Sequence, residues 1–86
     1  MFLFERSARG ALDFSAISQL YNLTPREART AQLVMYGMTS KEIAVHLNIS
    51  PNTVKAFLHT MMLKMAVTTR TGIVGRILES QIDLQN

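Results

Sequence analysis

The sequence predicts an all-α domain of four helices, and three observations predict it. Helix-start signatures recur: "LTPRE", "TSKE" and "SPNT" each pair a hydroxyl residue with a following proline or a glutamate three positions on. Apolar residues after each start return at spacings of three and four. No stretch carries a strand signal.

The elements follow in order. Residues 1–22 read as a leader or linker, with "MFLF" set apart by Gly10. Within it, Ile17, Leu20 and Tyr21 define the apolar side of a short helix near 13–20, with Asp13 at its start. The helical domain spans 23–80, and 81–86 form a tail. Thr24 caps the first of its helices, Pro25 takes the first helical position, and Glu27 closes a capping box. That helix runs over 25–36 with Ala28, Ala31, Val34 and Met35 inward, and Gly37 is the left-handed residue that ends it. Thr39 and Glu42 repeat the box, and the next helix covers 40–47. Ser50 caps and Pro51 opens a helix over 51–65, because nothing from Asn52 to Met65 breaks it. Thr69 caps a last helix over 70–80 through Ile73, Val74, Ile77 and Leu78.

The link between helices 40–47 and 51–65 is the informative one. It holds only Asn48, Ile49 and Ser50, which suits two helices crossing steeply as a helix-turn-helix. Close approach demands a small residue, met by Ala44. The turn demands one that tolerates positive φ, met by Asn48. Ile43, Leu47, Ile49, Val54 and Phe57 are expected to fill the wedge against helix 25–36.

On helix 51–65, turning Val54, Leu58, Met61 and Met65 inward leaves Asn52, Lys55, Ala56 and His59 outward, with Thr60 and Leu63 further round. That outer face suits a DNA major groove. Lys55 donates to guanine O6 and N7, His59 meets a base edge, and Asn52 bridges to a base or a phosphate. Ala56 permits close approach and fits a thymine methyl. Ser50 and Thr53 offer hydroxyls and free backbone N–H groups to a phosphate, and Lys41, Lys64 and Arg70 are candidate phosphate clamps.

Charge supports a polyanion partner. The chain of 86 residues carries a net +3, and no acid falls between Glu42 and Glu79, while Lys55, Lys64, Arg70 and Arg76 do. So short a chain buries only about 60% of its unfolded surface, which favours oligomerisation. With no cysteine there is neither a disulfide nor a thiolate metal site, which suits the cytoplasm. His46 and His59 lack partners at ligand spacing, and no nucleophile–base set or glycine-rich phosphate loop occurs. The sequence therefore reads as non-enzymatic, without cofactor, metal or small-molecule ligand. No apolar run nears the roughly 20 residues of a membrane span.

The run "LTPREARTAQLVMYGMTSKEIAVHLNISPNTVKAFLHTMMLKMAVTTRTGI" resembles the LuxR-type, GerE-like helix-turn-helix, the effector module of NarL/FixJ-type response regulators and quorum-sensing regulators. The likeness covers about residues 23–78. It rests on "LTPRE", "GMTSKEIA", "LNISPNTVK" and "KMAVTTRT". It implies a bacterial transcription regulator binding double-stranded DNA as a homodimer. Lys55, Ala56 and His59 fall where the family often touches bases, and Ser50, Thr53 and Lys64 where it approaches the backbone. Helix 70–80 resembles the family's dimerisation element, which assigns Ile73, Val74, Ile77 and Leu78 to a partner copy, with Gly72 and Gly75 permitting close approach. Three positions depart from the pattern: His59 itself, Phe57 where histidine is common, and Ala66 where glycine is common. Ala66 is expected to straighten the exit from helix 51–65. Two other readings stay open: a protein-interaction regulator on the same scaffold, and a sigma-factor-like promoter-reading helix-turn-helix whose last helix stays monomeric.

Overall fold

A computed structural model describes residues 14–85, with the side chains of 14–80. The expected Asp13 start and "MFLF" lie outside the described residues. Among the described residues five helices follow one another: α1 (Phe14–Tyr21), α2 (Pro25–Met35), α3 (Ser40–Leu47), α4 (Pro51–Met65) and α5 (Arg70–Gln85). No strand occurs among the described residues.

Both capping boxes form. Thr24 and Thr39 accept from the N–H groups of Glu27 and Glu42 at 3.2 Å, and each glutamate returns a bond to its cap's N–H. Ser50 accepts from the Thr53 N–H at 3.1 Å, and Thr69 from the Gly72 N–H at 2.9 Å.

The helix ends share one device. α1 to α4 each stop at a left-handed residue: Asn22, Gly37, Asn48 and Ala66, with φ of 57°, 85°, 58° and 59°. The residue after it then donates to a carbonyl five positions back: Leu23 to Ser18, Met38 to Leu33, Ile49 to Ala44, Val67 to Met62. Those four donors are all apolar and all pack into or against the core. Each stop therefore also directs a side chain inward, and this sets the short links between helices. Ala66 overturns its sequence expectation. It does not straighten the exit but adopts the left-handed conformation glycine would take, because Val67 must reach both its hydrogen bond and the core.

The core gathers every helix. Ile17, Ala31, Leu33, Val34, Ile43, Ala44, Val54, Leu58, Met61, Met65, Ile73 and Ile77 are buried. α1, expected within a leader, is packed through the fully buried Ile17 and ends with the Tyr21 hydroxyl bonded to Ser80 Oγ on α5. Phe57, expected in the wedge, is only partly buried and lies outside the core cluster, whereas Leu58 next to it is inside. The face of α4 set by Val54, Met61 and Met65 passes through Leu58 and leaves Phe57 at its margin. α5 continues past its expected end at 80, since no glycine or proline lies between Arg76 and Gln85 to stop it.

Candidate nucleic-acid interface

α4 separates two chemistries on one rod. Its buried residues are Val54, Leu58, Met61 and Met65, the inward set the sequence predicts. Asn52, Lys55, Ala56 and His59 are exposed together on the other side, and Leu63 extends their line at 69% exposure. The first turn is fixed by Pro51 and by Ser50, whose hydroxyl also pairs with that of Thr53 at 2.9 Å. Those two hydroxyls and the N–H groups of the turn sit at the positive end of the helix. Asn48 and the buried Ala44 hold α3 against α4, so this outer face is carried on a short, stiff corner.

Not every expected residue joins that face. Lys41 is exposed in the first turn of α3. Arg70 is only partly exposed, with its guanidinium donating to the Met38 carbonyl and Ser40 Oγ, so it ties the start of α5 to the α2–α3 link. Lys64 departs most from the phosphate role expected of it. Its ammonium lies 2.6 Å from Glu27 Oε1 and donates to the Asn22 carbonyl at 2.8 Å. Burial pushes the Glu27 carboxyl up, but the Lys64 ammonium, the Thr24 N–H and the Thr24 hydroxyl outweigh it and hold the group below the usual carboxylate range.

The expected dimer residues divide. Ile73 and Ile77 are fully buried in this chain's own core and offer nothing to a second copy, which corrects their assignment. The reason is geometric: helical positions four apart share a face, and here that face meets the rest of the chain. Val74 is half-buried and Leu78 is 47% exposed. Gly72 makes room for this chain rather than a partner, since a Cβ there would meet Val67 Cβ at 2.9 Å, while Gly75 faces open space.

Reading the residues one by one missed Glu27 as a tertiary anchor. The capping box already explains a glutamate there, and nothing local points to a lysine 37 residues on. Across the helices Arg29 also meets the exposed His46, at 3.1 Å. Among the described residues no cluster of histidine, cysteine, aspartate or glutamate forms a metal site, and no helix is long and apolar enough to cross a membrane.

A capped helix pair joined by a left-handed asparagine, with one exposed polar helix face, defines a helix-turn-helix domain. Residues 21–76 match the family described as bacterial regulatory proteins, luxR family, and the chain belongs to that family. It is 34% identical over 61 residues to the probable transcriptional regulator ycf29 of Cyanophora paradoxa, covering 71% of this chain and 29% of that protein. It is also 34% identical over 67 residues to the transcriptional regulatory protein LnrK of Bacillus subtilis (strain 168), covering 78% and 30%. The chain thus spans under a third of the length of these relatives. No solved structure matches it.

Proposed function

We propose that this domain regulates transcription in the cytoplasm by laying the outer face of α4 in the major groove of specific double-stranded DNA. One observation carries the reading: Asn52, Lys55, Ala56 and His59 are exposed as one small, polar, positive surface on a helix anchored by its opposite face. Lys55 and His59 read base edges, Asn52 bridges to a base or phosphate, and Ala56 lets the helix sit close. Ser50, Thr53 and Lys41 hold phosphates and set the register. Arg70 reaches the backbone only by giving up part of its intramolecular bonding.

The domain acts as a homodimer through the exposed side of α5, where Val74 and Leu78 flank the open space at Gly75. Two copies would read half-sites roughly 10 bp apart. Lys55→Ala in a gel-shift assay on a site selected from random DNA is the test, with an expected cost of about 1–3 kcal/mol. Unchanged affinity there would favour a protein-interaction regulator. Sedimentation at micromolar concentration tests the dimer, which Leu78→Glu should dissociate.

A further inference from the structure

Lys64 and Lys55 stand nine residues apart on α4, which is two and a half helical turns. They therefore point to opposite sides of the rod. When Lys55 faces a groove, Lys64 faces the body of its own domain. There its ammonium makes two short contacts, to Glu27 Oε1 at 2.6 Å and to the Asn22 carbonyl at 2.8 Å. The Glu27 side chain is 6% exposed and that of Lys64 is 26% exposed. The same Glu27 oxygen accepts the Thr24 N–H at 2.9 Å, so the lysine is tied to the entry of α2 as well as to its carboxylate. Drawing Lys64 out to a phosphate would leave a buried carboxylate unpaired, which is strongly unfavourable.

We propose that Glu27 and Lys64 form a positioning clamp for α4, setting the tilt at which Asn52, Lys55 and His59 are presented, and that Lys64 is not a phosphate ligand. The inference rests on the DNA-reading role proposed above. Its leverage is geometric. The clamp grips the last turns of α4, while Lys55 sits about 13 Å away along the axis. A tilt of about 5° at the clamp moves Lys55 by about 1 Å, beyond the roughly 0.5 Å that a preorganised site tolerates. The core face formed by Val54, Leu58, Met61 and Met65 fixes depth and rotation along the helix, and the directed ion pair adds a second attachment at its far end, against the entry of α2.

The test uses the full chain and two 30-bp duplexes, one carrying a site the wild type selects from random DNA and one scrambled. Binding is measured across a salt series, with circular dichroism checking that each variant is folded. Lys64→Met and Glu27→Gln should each weaken the selected duplex roughly tenfold, leave the scrambled duplex unaffected, and keep the salt slope of the wild type. The double variant should lose no more than the worse single one. Lys64→Gln keeps a polar side chain but loses the cation that pairs with Glu27, so it should weaken the selected duplex as Lys64→Met does, with the slope of the wild type, and it serves where Lys64→Met fails to fold. A slope reduced by about 0.9 in the Lys64 variants, with both duplexes weakened alike, would make Lys64 a phosphate contact and overturn the clamp. Wild-type binding in both Lys64→Met and Glu27→Gln would overturn it too. If the wild type selects no site, the DNA reading falls and the clamp with it. If it selects one that Lys55→Ala loses, only the clamp is at stake.

Discussion

The chain writes the same helix start twice, and the two copies do different things. Thr24–Glu27 and Thr39–Glu42 close capping boxes with nearly identical bond lengths, 2.9 and 3.2 Å against 2.8 and 3.2 Å. Glu42 is exposed and, among the described residues, bonds only at the start of its own helix. Glu27 is 5% exposed and also holds Lys64, on a helix two elements away. The hydrogen bonds of a cap are set by four consecutive residues, whereas its energetic weight is set by what packs over it. An identical motif is a local device in one place and a joint between helices in the other.

Five variants break or sharpen that contrast, the largest first. Glu27→Ala should destabilise the domain by about 2–3 kcal/mol in urea unfolding, below the full cost of breaking a buried pair because Lys64 retains partial access to water. Acid should act on the same joint. The folded carboxyl of Glu27 titrates below its ordinary 4.5, so its contribution is complete above that pH and is lost as pH falls through the lowered folded value. Glu27→Gln should flatten the fall in melting temperature below pH 4.5, and an unchanged fall would place the acid sensitivity elsewhere. Thr24→Ala and Thr39→Ala should each cost about 1 kcal/mol, with Thr24→Ala the larger because its hydroxyl also supports the buried Glu27 carboxylate. Glu42→Ala should cost the least, about 0.5 kcal/mol, because water replaces its carboxylate at an exposed cap. A loss from Glu42→Ala matching that from Glu27→Ala would erase the distinction.

Much of the fold was legible because it is written locally. Thr24, Thr39, Ser50 and Thr69 mark their helices through hydrogen bonds spanning three residues, and Gly37 and Asn48 mark stops through φ alone. The inward face of α4 was legible for a similar reason, since spacing along one helix fixes which residues share a side. The remainder depends on what lies across the fold. The burial of Ile73 and Ile77 could not be told from a partner-facing stripe, because both need the same apolar spacing. Ala66 carries no sign of a left-handed backbone, and that conformation follows from where Val67 must go. Lys64 reads as any solvated or phosphate-seeking cation until Glu27 is found beneath it.

The two methionines sealed under α4 give the domain a chemical record of its own opening. Met61 and Met65 are at most 1% exposed, whereas Met35, Met38 and Met62 are partly accessible. A mild peroxide pulse should convert the accessible thioethers to sulfoxides first. Oxygen found on Met61 or Met65 would then count excursions in which the reading helix had lifted from its bed. A polar sulfoxide there would also hinder its return, so a brief loosening under oxidative stress would become a lasting loss of shape.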